Sequence, residues 1–193
     1  MNWSAYIVAV LLALSFDSSV GSVLEIAGAH PQVLPAVVVF ALLSTARRCA
    51  LRAAMLAGLA ADLLAPLVGA DGMLVVVPGP RVLGFALGAL AVLQLRSLLY
   101  RRNPLAGSAA TFAFSLLAGI VFIAASLLRA WVTGSDAPWW PGTGGSEVWI
   151  RFLGALLDGV VALPVLWCLE KTRPLWGFVV STKLTAGPAR MSR

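Results

Sequence analysis

The stretch that decides the fold class is AGSAATFAFSLLAGIVFIAASLLRAWV, from Ala106 to Val132, in which Arg129 is the one charged residue. A run of about 20 apolar residues is long enough to cross the hydrocarbon core of a bilayer as a helix. Similar runs recur along the chain, which is 60% hydrophobic and only 11% charged. Ordinary soluble domains have roughly 25% charged residues. No run shows the alternation of a barrel strand, so the sequence predicts an all-α integral membrane bundle.

Six transmembrane spans are predicted, joined by short loops. Their bounds are Ser4–Ile26, Gln32–Ala46, Ala53–Gly69, Pro80–Leu99, Ala106–Val132 and Val148–Leu169. Of the 14 Lys and Arg residues, Arg81, Arg129 and Arg151 map to one side of the membrane and the remaining 11 to the other. By the positive-inside rule the richer side is cytoplasmic, so we expect both termini inside.

The loops are too short to hold a folded soluble module. We therefore expect one transmembrane domain, residues 1–170, followed by a basic cytoplasmic tail, residues 171–193, that lies along the inner leaflet with Trp176. The net charge of +6 follows from the topology and indicates contact with anionic lipid at the inner leaflet instead of nucleic acid.

Catalytic chemistry has few candidate residues in this sequence. His30 is the sole histidine, Cys49 and Cys168 are widely separated, and no GxxxxGK[ST] run is present. A Ser–His catalytic pair, a histidine-rich metal site and a nucleotide-driven pump all lack essential parts. We expect no enzyme activity, no catalytic residue, no cofactor and no metal.

Three aspartates, Asp17, Asp62 and Asp158, lie within predicted spans. A charged carboxylate at the centre of a bilayer costs about 2.5–3.5 kcal/mol on insertion scales, so each should face the bundle interior or be protonated. Such a residue serves either as a proton relay or ligand site, or as a hydrogen-bonded clasp between helices. For Asp17 and Asp158 the clasp is the favoured reading.

Asp62 belongs to a stripe that also contains Gly58 and Pro66, at positions i, i+4 and i+8 of one helix. Gly58 allows a second helix to approach closely. Pro66 leaves the carbonyl of Asp62 without its helical partner. Arg81, which follows Pro80 at the start of the fourth span, is the strong cation expected nearest in depth. We therefore predict an Asp62–Arg81 pair.

Gly84 and Gly88 form a GxxxG pattern in the fourth span. This spacing predicts a tight crossing between helices. Packing inside the monomer is favoured over a dimer face, because glycine and alanine are abundant throughout this chain.

The run GLAADLLAPLVG, Gly58 to Gly69, resembles the signature of the MreD family of bacterial rod-shape-determining membrane proteins. The resemblance implies a non-enzymatic subunit of the cell-elongation complex in the bacterial inner membrane, which supports lateral peptidoglycan synthesis. It also implies a fold similar to that of the substrate-binding subunits of energy-coupling-factor vitamin transporters. The implied partners are an MreC-type single-span protein, RodA and a class B penicillin-binding protein. The residues that match the family pattern are Gly58, Asp62, Leu63, Leu64, Pro66 and Gly69.

Two other interpretations remain open. A substrate-binding subunit of a vitamin transporter should enclose an outward-facing polar pocket, for which Asp17, Asp62, Gln94 and Arg81 are the candidates. A membrane enzyme is the third, although it would lack a recognisable catalytic set. A bound small molecule and an ATPase module on purification would identify the transporter subunit.

Overall fold

The computed structural model describes residues 1–19, 23–64, 67–68, 74–75, 79–96, 104–133 and 144–177. Within these ranges the protein is built from six α-helices. They are α1 (Trp3–Ser19), α2 (Leu34–Ser44), α3 (Arg47–Leu64), α4 (Pro80–Leu95), α5 (Pro104–Thr133) and α6 (Gly144–Lys171). The two-residue strands β1 (Leu67–Val68) and β2 (Leu74–Val75) pair antiparallel, and a 3-10 turn, Arg173–Trp176, follows α6.

Two of these helices are long and apolar enough to cross a membrane: α5 over Leu105–Val132 and α6 over Gly145–Lys171. Only 33% and 28% of their most apolar windows are buried inside the molecule, so most of this apolar surface faces outward. The helices α1, α2 and α4 are apolar but shorter, and α3 begins with the arginines Arg47, Arg48 and Arg52. Each predicted span overlaps one helix, and of these helices α5 and α6 are long enough for a full crossing.

Helix α2 occupies the centre of the bundle. Every residue from Leu34 to Leu42 is buried, and α2 packs against all five of the other helices. A helix that is apolar on all sides is buried on all sides. With 11 residues, α2 is about 16 Å long at the standard helical rise, about half of the hydrocarbon thickness.

The other helices surround α2. Along the series α3, α4, α5 and α6 each helix packs on the next, and α1 packs on α2 and α3. Small residues set the closest approaches. A Cβ atom added to Gly58 would lie 2.8 Å from the Cα atom of Val82, and one added to Gly84 would lie 2.8 Å from the carbonyl oxygen of Ala118. Backbone therefore touches backbone between α3 and α4 and between α4 and α5.

At the end of the bundle that carries residue 1, the 3-10 turn closes onto α1. The Asn2 amide donates to the Trp176 carbonyl at 2.7 Å, and the Trp176 ring meets those of Phe40 and Tyr6 at centroid distances of 5.1 and 6.5 Å. The Tyr6 hydroxyl donates to the Ala53 carbonyl at 2.7 Å. Trp176, expected on the lipid surface, is buried because this aromatic cluster accommodates its ring.

Several boundaries differ from the predicted spans, and Leu67–Val68, predicted as part of the third span, forms strand β1 instead. Helix α1 ends at Ser19, well before Ile26, and the Ser18 and Ser19 hydroxyls bond back to the Ser15 carbonyl. Serine hydroxyls compete for helical carbonyls in this way and favour helix ends. Helix α3 starts at Arg47 instead of Ala53, because arginine is a good helix former and continues the helix beyond the apolar run.

Candidate functional site

Asp62, a buried residue of α3, caps the start of α4. Its carboxylate oxygens accept hydrogen bonds from three backbone N–H groups. The donors are the amides of Gly79 at 2.8 Å, Arg81 at 3.2 Å and Val82 at 3.3 Å. The first N–H groups of a helix have no intrahelical partner, and the helix dipole favours a negative charge there. Asp62 therefore fixes where α4 begins.

Gly58 explains how Asp62 reaches these amides. It lies one turn earlier on the same face of α3, and its missing side chain lets the backbone of α4 approach at Val82. A larger residue would hold the two helices apart and lengthen every hydrogen bond to Asp62. The next two residues, Leu63 and Leu64, are exposed. Pro66 and Gly69, the remaining positions of the stripe, lie outside the described residues.

Arg81 and Asp62 are neighbours, and the backbone takes part in the contacts that join α3 to α4 here. The Arg81 amide donates to Asp62, while an Nη atom of Arg81 donates to the Ala61 carbonyl at 2.6 Å. The two side chains also attract each other electrostatically. The structure thus brings together the two residues of the predicted pair. Asp62 accepts the backbone amide of Arg81, and the Arg81 side chain donates to the backbone carbonyl of Ala61.

Asp17 and Asp158 cap the start of α2 from two different helices. Asp17 of α1 accepts the Val33 amide at 2.6 Å and the Leu34 amide at 3.2 Å. Asp158 of α6 accepts the Gln32 amide at 2.6 Å. Three consecutive N–H groups of the chain are thereby satisfied by two carboxylates. The Ser115 hydroxyl lies beside Asp158, and within the described part of the chain its oxygen is buried without a well-aligned hydrogen-bond partner.

The sequence contains a signal for these contacts that the sequence analysis did not use. Val33 and Gly79, the N-cap residues of α2 and α4, carry no side chain that caps the helix, and proline follows in each first turn. Both helices lie in apolar surroundings, so their free N–H groups need acceptors from elsewhere in the chain. The three acids within apolar helices supply the acceptors that the two uncapped helix starts need.

The segment that leads into α2 runs along α6 and contacts it at several positions. Ile150 packs on Gly28, the Gly154 backbone faces the His30 carbonyl, and Asp158 binds the amide of Gln32. This segment is not helical after the Ile26–Ala29 bridge. Non-helical backbone at membrane depth is tolerated where it is buried in protein or lines a cavity. In this protein, residues 28–32 line a cavity.

A cavity of about 680 Å³ opens at the same end of the bundle. It is lined by the C-terminal half of α1, the segment before α2 with the start of α2, the end of α3, the first two turns of α4, the middle of α5 and the N-terminal half of α6. Its polar residues include Asp17, Asp158, His30, Arg81, Arg151 and Glu147. Of the four predicted pocket residues, Asp17 and Arg81 line the cavity, whereas Asp62 and Gln94 do not.

Arg151 and Phe122 are the cavity residues that sequence reasoning missed. Arg151 pairs through Nε with Glu147 at 2.8 Å, one turn earlier on α6. Its guanidinium carbon lies 4.5 Å from the centre of the Phe122 ring, and that of Arg81 lies 6.0 Å from the same ring. In the sequence Phe122 is one of many apolar residues of α5, and only the fold brings two arginines to it.

Gly84 and Gly88 of α4 pack against α5, at Ala118 and Phe114. The ring of Phe114 fills the space above Gly88. Among the residues that the structure describes, no group of three His, Cys, Asp or Glu side chains is arranged to hold a metal ion.

Comparison with known proteins finds no matching family model, no similar curated protein and no similar solved structure.

Proposed function

We propose that this chain is a multi-pass, non-enzymatic subunit of the bacterial cell-elongation complex in the inner membrane. In this role it binds an MreC-type single-span protein and supports lateral peptidoglycan synthesis beside RodA and a class B penicillin-binding protein. All six helices cross the membrane, and both termini are cytoplasmic. The second crossing combines the non-helical segment before α2 with α2 itself, and anionic lipid contacts the basic cytoplasmic end.

The observation that carries this proposal is the division of the family-like motif between two faces of α3. Gly58 and Asp62 face inward and are fully used in positioning α4. Leu63 and Leu64, the motif residues that follow, are 53% and 58% exposed. The motif thus joins a rigid internal contact to an apolar outward surface, which is the combination a docking face for a partner helix requires.

Further residues of α3 extend this outward apolar surface towards the start of the helix. Met55, Leu56 and Leu59 are also exposed, and with Leu63 they form one apolar face of the helix. A partner helix in lipid is held by packing and hydrogen bonds instead of the hydrophobic effect. A rigid, correctly oriented face therefore matters more than its apolar area.

Photo-crosslinking tests the docking face directly. A photoreactive residue at Leu63 should capture the single-span partner in the native membrane. The same residue at Leu156, a comparably exposed leucine of α6, is the matched control and should capture far less. Equal capture at both positions would remove α3 as the docking face. Depletion of the protein should turn rod-shaped cells into spheres, and cells that stay rod-shaped would contradict the role itself.

Cysteine labelling tests the orientation. In a variant whose only cysteine replaces Val23, which is 80% exposed, a membrane-impermeant thiol reagent should label intact cells. The native Cys168, at the other end of the bundle, should react only after permeabilisation. Labelling of Cys168, and not of the cysteine at position 23, in intact cells would mean that the protein has the opposite orientation.

One observation favours a second candidate function, a substrate-binding subunit of an energy-coupling-factor vitamin transporter. The cavity at the outer end of the bundle, partly polar and about 680 Å³ in volume, has the size of a small-molecule site. Purification distinguishes the two functions. An assembly subunit should bring down a single-span protein and cell-wall enzymes, whereas a transporter subunit should bring down an ATPase module and a bound small molecule.

A further inference from the structure

The cavity concentrates positive charge on one aromatic ring. Arg81 of α4 and Arg151 of α6 come from different helices and approach Phe122 of α5 at 6.0 and 4.5 Å. Each ring face attracts a cation, which holds the guanidinium groups in place. The two cations also lie near enough to repel each other. An anion between them would turn this repulsion into two attractions.

Arg151 has donors available for such an anion. Its Nε atom binds Glu147 at 2.8 Å, while its two Nη groups make no hydrogen bond to any residue that the structure describes. The side-chain stem is supported along its length by Gly119, whose position leaves room for it. A guanidinium presents its N–H groups as a planar fork that matches the oxygens of a carboxylate or a phosphate.

The acids that line the cavity are already engaged. Asp17 and Asp158 accept the amides at the start of α2, and Glu147 accepts Arg151 Nε. The carboxylates of Asp17 and Asp158 also offset the partial positive charge of a helix N-terminus. Arg151, whose Nη groups have no such partner among the described residues, is therefore the group that selects an anionic ligand, and the charge of Arg81 lies nearby.

Apolar side chains make up a further part of the cavity wall. Leu11, Leu14, Phe85 and Ile150 are among these side chains. The volume of about 680 Å³ lies within the roughly 300–1,000 Å³ typical of small-molecule sites. We propose that this cavity binds an organic anion with an apolar body, whose carboxylate or phosphate is held by Arg151 and Arg81. The anionic group belongs either to a soluble molecule or to a lipid headgroup, and binding is independent of the assembly role.

Thermal unfolding of the purified full-length chain in phosphatidylcholine nanodiscs tests the proposal. Octyl phosphate and octanoate are the probes, octanol is the neutral control, and inorganic phosphate tests the headgroup alone. Both octyl anions should raise the midpoint of unfolding of the wild type, and octanol should not. The proposal is overturned if neither octyl anion shifts the midpoint of unfolding, or if octanol shifts it equally.

Two variants and a matched control locate the effect. Arg151→Gln should raise the dissociation constant of octyl phosphate about tenfold to hundredfold, because it removes charge-assisted hydrogen bonds. Arg173→Gln is the control, since Arg173 also pairs with a nearby glutamate, at 2.6 Å, but lies away from the cavity. Unchanged affinity in Arg151→Gln, or an equal loss in Arg173→Gln, contradicts the assignment.

A steric variant keeps the test valid if a charge change disturbs folding. A Cβ atom on Gly154 would meet nothing nearer than the His30 carbonyl oxygen at 4.0 Å, and Gly154 lines the cavity. Gly154→Phe should fill this space and abolish the shift, while Gly154→Ala should leave it intact. Stabilisation of Gly154→Phe equal to that of the wild type overturns the site.

Nanodisc composition separates the two sources of the anion. Replacing phosphatidylcholine by phosphatidylglycerol should raise the melting temperature of the wild type more than that of Arg151→Gln if the ligand is a lipid headgroup. Equal effects on both proteins, together with stabilisation by the octyl anions, assign the site to a soluble acid. No partner protein is present in these assays, so their outcome does not depend on the docking experiment.

Discussion

The starts of α2 and α4 solve the same problem in different ways. Both helices begin in apolar surroundings, with proline in the first turn and no capping side chain of their own. Helix α4 receives one carboxylate, Asp62, from the helix just before it, 17 residues from Gly79. Helix α2 receives two carboxylates, and one of them, Asp158, comes from 126 residues later in the chain.

The comparison teaches what an acid inside an apolar helix does in this fold. In each case the carboxylate replaces the water that would hydrate the first N–H groups of a helix at the protein surface. The start of α4 depends on a single pair of neighbouring helices. The start of α2 depends on α1 and α6 together, so it reports whether the whole bundle has assembled.

Removing the α4 cap should have the largest effect. We expect Asp62→Leu to lower the free energy of unfolding by about 3 kcal/mol or more, because three N–H groups lose their acceptor at once. Asp62→Asn keeps one acceptor oxygen and should cost about 1 kcal/mol. Denaturation by SDS in mixed micelles measures both values. Equal tolerance of the two substitutions would contradict both the cap and the Asp62–Arg81 contact.

The α2 caps should each contribute less and should not act independently. Asp17→Ala and Asp158→Ala are each expected to cost about 2 kcal/mol, since each leaves one or two N–H groups without an acceptor. The double variant should depart from the sum by about 0.5 kcal/mol or more, because the two residues serve adjacent amides. Asp62→Ala combined with Asp17→Ala is the control pair and should be additive. Additivity in both pairs would show that α2 has two separate supports.

Gly58→Ala tests how closely α3 must approach the α4 cap. The added methyl group would lie 2.8 Å from the Val82 Cα atom, so the helices must separate, at a cost of about 1–2 kcal/mol. Gly154→Ala is the matched control, because open space surrounds that position and alanine favours a helix. Thermal unfolding of both variants should show a loss for the first and no loss for the second. Similar midpoints for the two would mean that the α3–α4 contact yields without resistance.

The smallest effect is expected far from both caps. Arg173 and Glu170 form an exposed ion pair at the C-terminal end of α6. Exposed pairs contribute about 0.2–1 kcal/mol at most, so Glu170→Gln should change the unfolding midpoint only slightly, and less at high salt. A change as large as that of Asp17→Ala would show that charge in general, and not helix capping, dominates the stability of this protein.

The helices could be predicted from sequence because long apolar runs leave little choice of structure. The stretch around Ala118 and Phe122 in α5 is one such run, bounded by polar residues. The boundaries were less accurate at Ser19 and Arg47, where local hydrogen bonding and helix propensity extend or end a helix regardless of hydropathy. Helix ends depend on capping contacts that a hydropathy pattern does not contain.

The candidate site could be predicted only in part, and the reason is distance along the chain. The neighbourhood of Asp62 and Arg81 follows from two consecutive spans. The meeting of Asp158 with Gln32, or of Arg151 with Phe122, requires the relative rotation of helices far apart in sequence. The GxxxG pattern predicts that Gly84 makes a close contact, but it does not identify Ala118 as the partner or give the rotation of the helices.

The dependence of α2 on Asp158 has a consequence for biogenesis. A ribosome delivers α2 long before α6, so during translation the amide of Gln32 waits for an acceptor that has not yet been made. An 11-residue helix is also too short to remain across a bilayer by itself. Under the proposed six-span topology, insertion of the second segment should therefore stay reversible until α6 leaves the translocon. A nascent chain truncated before Asp158 is the state that quality-control proteases should recognise.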